Sequence, residues 1–449
     1  MISPKQLKQN DTKENISLAD LFWIYLIFFF NYTEGFWTEY VSEYFQYGIE
    51  LIFVVFLLRN TSKWLQDSCG GKLTCFWLAF SLFLATITWT IVPMLKEIRF
   101  FLYYILLFRI FWNESFSLSQ IKKLFSFIIF LILLNGVISF IRIFFMGLRE
   151  ERLVGIISSS GGTTATSFPM LICSILALFF LFDIQLTQKA SFQVKKYAVM
   201  LLLLLSAFLI GYGSGKRAIL VLTPLAIFAT FIFSSFHLSF KTIAKKTIAL
   251  IFILLALNTL LLHAFYNTHG YDYVISEGDS WTTVLQGVWE YTNDYEFSQN
   301  QGSSMGRLGS TIEIWNACQQ DNIWLTGIGY HSHKDEETRD FLNIIYGVCG
   351  WSRDMINGGI LAVLFSIVIY VRLIFSHKST DGVWKVLKIV ILFNFLCIYF
   401  FYSSDYAVSL KLNMLIALLL ALANSPNYEQ IRQKLFCPQT NIDLTSKTE

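Results

Sequence analysis

The chain has 449 residues, of which 55% are apolar and 14% charged, with a mean hydropathy of +0.54. That composition is too apolar for a water-soluble fold and too often interrupted by polar stretches for a domain carried on one or two anchors. A formal net charge of +3 says little by its sum, so the placement of charge carries the information, and no nucleic-acid partner is expected.

The first 20 residues are polar and hold no compact apolar core before a small-residue cleavage site, so the segment from Leu21 is expected to be a retained span. A membrane-crossing helix needs about 20 mostly apolar residues. Apolar runs bounded by charged or Gly/Ser/Asn-rich connections predict twelve spans, at 18–33, 41–58, 73–93, 98–112, 124–147, 166–186, 197–211, 217–236, 247–265, 356–375, 385–402 and 406–423. The expected fold is an all-α polytopic membrane protein of about twelve transmembrane helices. Spans one to nine occupy residues 1–265, a large partly helical extracytoplasmic loop occupies 266–355, spans ten to twelve occupy 356–423, and a tail occupies 424–449.

Lys and Arg counts set the expected orientation. Alternate connections that include both termini carry 22 of the 34 cations, and the opposite set carries 10. Arg142 and Lys411 lie within predicted spans. Both termini are therefore expected in the cytoplasm, with the large loop outside, as in a bacterial inner-membrane protein.

Seven cysteines are scattered without CxxC spacing, which argues against a structural zinc site or a redox motif. Cys318 and Cys349 fall in the large loop, where an oxidising compartment would permit pairing, but two unpaired thiols are the simpler expectation. The loop holds 13 acidic residues against four basic ones, together with Trp281, Trp289, Trp315, Trp324 and Trp351. Leu308, Ile312 and Trp315 recur at helical spacing and predict one apolar face laid on the bundle. For each aromatic residue the ordinary reading is packing or interfacial anchoring.

The outer cations are clustered, at Arg149/Arg152, Lys216/Arg217, Arg307 and Arg353. Single cations of this kind snorkel or pair with a carboxylate, but a cluster on the disfavoured side points to an anion, and guanidinium groups suit phosphate oxygens. Gly211-Tyr212-Gly213-Ser214-Gly215-Lys216-Arg217 adds glycines that let backbone N–H groups approach a ligand at a helix start; a plain tight turn is the alternative. It does not match the P-loop pattern. Arg152-Leu153-Val154-Gly155, followed by Ser158-Ser159-Ser160-Gly161-Gly162-Thr163-Thr164, is a second Gly/Ser/Thr-rich segment. A third begins at Gly306-Arg307-Leu308-Gly309, runs through Trp315, and is followed by Trp324-Leu325-Thr326-Gly327-Ile328-Gly329.

These segments, in this order and between these spans, together with Gly215-Lys216-Arg217-Ala218 and Gly358-Gly359-Ile360-Leu361, resemble the O-antigen polymerase and O-antigen ligase superfamily of envelope glycosyltransferases. The likeness covers roughly residues 149–375 and is collective rather than carried by one motif. It implies metal- and cofactor-independent transfer of a glycan from its undecaprenyl pyrophosphate carrier onto a sugar hydroxyl of another lipid-linked repeat unit. Carried over by position, Arg152, Arg217 and Arg307, with Lys216 and Arg353, are expected to contact the pyrophosphate. Asp354 is the first candidate base and His333 the second, while Trp289, Trp315, Asp321 and Trp351 are candidates for sugar contact.

The ligases place a His-Asn pair where this chain has Arg353-Asp354, which favours polymerase over ligase. Expected partners are lipid-linked glycans, membrane lipid and a chain-length regulator. Two other classes stay open at this point. A metal-dependent polyprenyl-phosphate-sugar transferase would use Glu34, Glu39 and Glu43, which have no Lys or Arg nearby in sequence, and a flippase would keep ionisable groups such as Arg142 and Lys411 mid-membrane.

Overall fold

The computed structural model describes residues 16–65, 71–146, 155–157, 164–182, 193–212, 218–238, 307–330, 336–342, 348–377, 382–403 and 409–436, with isolated positions between 241 and 290 and at 334. Every regular element among them is a helix. In chain order these are α1 (Leu18–Tyr32), α2 (Glu34–Tyr40), α3 (Phe45–Arg59), α4 (Thr61–Leu65), α5 (Gly71–Ile87), α6 (Ile91–Asn113), α7 (Leu118–Phe144) and α8 (Thr164–Leu181). They continue with α9 (Gln193–Tyr212), α10 (Ala218–Ser235), α11 (Arg307–Gln320), α12 (Glu336–Phe341), α13 (Gly350–Ile374), α14 (Gly382–Phe401), α15 (Leu410–Asn424) and α16 (Glu429–Phe436).

Helices occupy eleven of the twelve predicted spans, and the segment 247–265 lies outside the described residues apart from Ile248. By length and apolarity, four of the described helices are able to cross a membrane alone: α7, α8, α13 and α14. A fifth is formed if α15 and the helical segment that follows it, bent by 77°, count as one span. Three of the others fall short for physical reasons. At 15 residues, α1 and α3 are each about 22 Å long, against a hydrocarbon core of about 30 Å. The 23-residue α6 carries Lys96, Glu97, Arg99 and Arg109.

Two helices form the interior. All fifteen residues of α15 are buried, and so is almost all of α8, which packs against α9, α10, α14 and α15. A helix apolar on every side belongs at the centre of a bundle. The surrounding helices reverse the soluble pattern: Leu51, Leu58, Phe76, Phe83, Phe130 and Phe228 are each more than half exposed, a surface suited to lipid. Polar groups inside the bundle find partners across helices. Asn394 donates to Ser174 Oγ at 3.2 Å, and Tyr370 donates to Asn413 Oδ1 at 3.0 Å. The start of α7 follows from Ser117 and Gln120, which form a reciprocal capping box.

The 25-residue α13 is two helices in series. Gly358 (φ −157°, ψ 22°) and Gly359 (φ 67°, ψ −165°) break it, and Ser366 Oγ comes within 2.6 Å of Asp354 Oδ2, twelve residues away. In a straight helix these positions would lie about 18 Å apart, so the chain folds back at the glycines. The first segment, residues 350–357, carries Arg353 and Asp354 down beside α6 and α14.

Candidate site at the broken helix

Arg353 and Asp354 are adjacent on the first half of α13 and point about 100° apart, so they meet different helices. Arg353 faces α6, donating from Nε and Nη2 to Glu97 Oε2 at 3.1 and 2.7 Å. Asn357, one turn further along, donates to the same oxygen at 2.7 Å. Three donors on one carboxylate oxygen make a charge-assisted anchor between helices. Its members are largely withdrawn from solvent, the side chains being 11% exposed for Arg353 and 6% for Glu97. Asp354 turns the other way and accepts from Ser366 Oγ at 2.6 Å and Tyr399 OH at 2.7 Å, both on Oδ2.

Residues 321–330 close over this pair. Ile360 N donates to Trp324 O at 2.8 Å, and Ile328 N and Gly329 N both donate to Ile356 O, at 2.7 and 3.2 Å. Glycine is required at the contact. A Cβ on Gly359 would lie 2.3 Å from the backbone of Leu325, and one on Gly327 (φ +68°) would lie 2.5 Å from Ile356 O. The loop ends on Tyr330, whose N–H donates to Thr90 Oγ1 at 3.2 Å between α5 and α6. Burial pushes the Tyr330 hydroxyl up to about 12, and the charges of Asp354 and Glu97 add to the rise.

Helix α11 leads into this loop, and its phase differs from the expectation. Ser310, Thr311, Ile314 and Cys318 are buried, whereas Ile312 is 53% exposed. Of the expected face, Trp315 packs on the core, Ile312 turns outward, and the side chain of Leu308 lies outside the described residues. Small residues on the buried stripe let α11 approach α13 closely, where Thr311 Oγ1 donates to Ser352 Oγ at 3.2 Å. Trp315 packs against Trp351 at 6.5 Å between ring centroids, and Trp351 against Phe400 at 6.3 Å, so both are held by protein. Asp321 is exposed at the end of α11. Cys318 and Cys349 are both buried as thiols rather than joined as a disulfide.

Arg353, expected at the pyrophosphate, is paired here with Glu97 and ties α13 to α6. Arg152, Lys216, Arg217, His333 and Trp289 lie outside the described residues, as does the side chain of Arg307, whose backbone opens α11.

Other cations of the bundle are paired too. Lys411 meets Glu34 at 3.1 Å, Arg142 meets Glu39 at 2.9 Å, and Arg99 meets Glu50 at 2.8 Å. With Arg353–Glu97 these pairs sit where α1 and α7 finish and where α3, α6, α13 and α15 begin. Glu34 and Glu39 thus have cations in space that they lack in sequence. Among the described residues no group of three His, Cys, Asp or Glu side chains is placed to hold a metal ion.

The segment after Arg152 also enters the bundle. Gly155 (φ +60°) takes a hydrogen bond on its carbonyl from Arg142 Nη1 at 2.8 Å, and Ile156 N donates to Asn135 Oδ1 at 2.9 Å. Asn135 is about 13 Å in from the C-terminal end of α7, so the turn runs down beside that helix.

Comparison with protein-family models, curated proteins and solved structures gives no match to this chain. The site thus rests on its own geometry. Glu97, Ser366 and Tyr399 were not singled out from sequence. Glu97 carried a signal, as an acid inside an apolar helix, but Lys96 and Arg99 beside it gave it the look of an interfacial charge. Tyr399 lies in the aromatic run Tyr399-Phe400-Phe401-Tyr402 and carried none.

Proposed function

We propose that this chain is an integral-membrane glycan polymerase that joins undecaprenyl-pyrophosphate-linked repeat units into a surface polysaccharide. One observation carries the reading. Two segments on which the resemblance rests, Gly327-Ile328-Gly329 and Gly358-Gly359-Ile360, meet backbone to backbone beside Arg353 and Asp354, although some thirty residues separate them in sequence. In this reading the site end of the bundle faces the outside of a bacterial inner membrane and both termini face the cytoplasm.

Asp354 is the base that takes the proton of the acceptor hydroxyl. Because Arg353 is engaged by Glu97, charge developing on the pyrophosphate leaving group falls to Arg152, Lys216, Arg217 and Arg307. Arg353 contributes by holding α13 against α6. The alternative through Glu34, Glu39 and Glu43 is disfavoured by the pairing of Glu34 with Lys411 and of Glu39 with Arg142.

The test is the polysaccharide ladder of cells carrying Arg217→Ala or Arg307→Ala in place of the wild-type chain. Both substitutions are expected to abolish long polymer while membrane insertion stays normal. Unchanged ladders in both would overturn the reading.

A further inference from the structure

We infer that Tyr399 and Ser366 are positioning residues that aim the Asp354 carboxylate in the proposed transfer, an inference that rests on Asp354 being the base. Among the described residues both hydrogen bonds to this carboxylate fall on Oδ2, from Ser366 Oγ at 2.6 Å and Tyr399 OH at 2.7 Å. Two donors on one oxygen fix the carboxylate plane and leave Oδ1 to accept a proton. Asp354 as a residue is half-buried rather than sealed.

The donors come from two different elements. Ser366 reaches Asp354 only because α13 folds back at Gly358-Gly359, and Tyr399 is held from α14 by its ring, which lies 5.2 Å from Phe395 and 5.4 Å from Phe400. That stack continues inward, with Phe395 on Tyr370 at 4.1 Å, so the Tyr399 hydroxyl is placed by packing that does not involve the hydroxyl itself.

In the step, the acceptor hydroxyl gives its proton to Asp354 Oδ1 as its oxygen bonds the anomeric carbon of the donor glycan. The bond from that carbon to the pyrophosphate oxygen breaks, and the pyrophosphate lipid leaves with the electron pair. Charged and titratable groups facing Asp354 are Arg353 on its own segment, Glu97 on α6, Tyr330 from the covering loop and Tyr399 on α14. Removing one hydroxyl donor destabilises the carboxylate form without altering these charges.

The test measures chain extension against pH by the purified full-length protein in lipid nanodiscs, with lipid-linked saccharides extracted from cells lacking the protein as probe. In Tyr399→Phe, which keeps the ring stack, the acid limb of the activity profile is expected to move up by about one pH unit and the plateau rate to fall while the protein stays folded. Ser366→Ala is expected to do the same, and it decides the matter if Tyr399→Phe fails to fold. Acid limbs that stay in place in both, with Asp354→Asn inactive, would overturn the positioning roles alone. An active Asp354→Asn would overturn the base assignment beneath them.

Discussion

Arg353 donates twice to one oxygen of Glu97, at 3.1 and 2.7 Å, across a sequence separation of 256 residues. The pair joins α13 to α6 at the depth of the site, and Asn357 adds a third donor at 2.7 Å. Truncating Glu97 removes the carboxylate that meets, at 2.7 Å, a guanidinium that is 11% exposed. Glu97→Ala is therefore expected to cost about 3–5 kcal/mol of stability. Arg353→Ala combined with Glu97→Ala is expected to cost less than the sum of the two single changes. Thermal unfolding of the detergent-solubilised variants measures both, and additive losses would show that the pair is not coupled.

Gly359 and Gly327 are expected to tolerate no side chain. At φ 67° and ψ −165° Gly359 occupies a region that costs any other residue about 1–3 kcal/mol, before the 2.3 Å approach to Leu325 is relieved. Gly359→Ala should lower both thermal stability and polymer yield by displacing residues 324–329 from Asp354. Gly48→Ala is the control: its Cβ meets nothing within 4 Å, and a helix-interior Gly→Ala change is expected to raise stability by about 0.5–1 kcal/mol.

The phase of α11 predicts opposite behaviour for two isoleucines two positions apart. Ile314 is fully buried and Ile312 is 53% exposed. Ile314→Ala should cost about 2–5 kcal/mol. Ile312→Ala should change stability by no more than about 0.5 kcal/mol. Equal losses in the same unfolding assay would place the apolar stripe where the sequence alone suggested.

Cys318 offers a pH-dependent readout outside the membrane-spanning helices. Burial first, and then the charge of Asp321, pushes its thiol up to about 11 from an ordinary value of 9.0. At pH 8 this lowers the reactive thiolate fraction about a hundredfold. A variant retaining Cys318 alone should label slowly with maleimide in the folded state, faster as pH rises toward 11, and at once after denaturation. Fast labelling of the folded protein at pH 8 would contradict its burial.

The sequence by itself determined the class of the fold and the approximate placement of most helices. In lipid every backbone polar group must be satisfied within the chain, so long apolar runs have few options besides helix, and their limits are legible from charge and glycine. It also singled out Arg353, Asp354 and both glycine pairs, because such residues are conspicuous against apolar surroundings. Tertiary structure alone decided what these residues meet. It paired Arg353 with Glu97, Lys411 with Glu34 and Arg142 with Glu39, and it folded α13 so that Ser366 reaches Asp354. It also chose the stripe of Ser310, Thr311, Ile314 and Cys318 over that of Ile312. Local periodicity fixes neither phase nor partner, since both depend on close packing between helices that are up to 379 residues apart, as Tyr32 and Lys411 are.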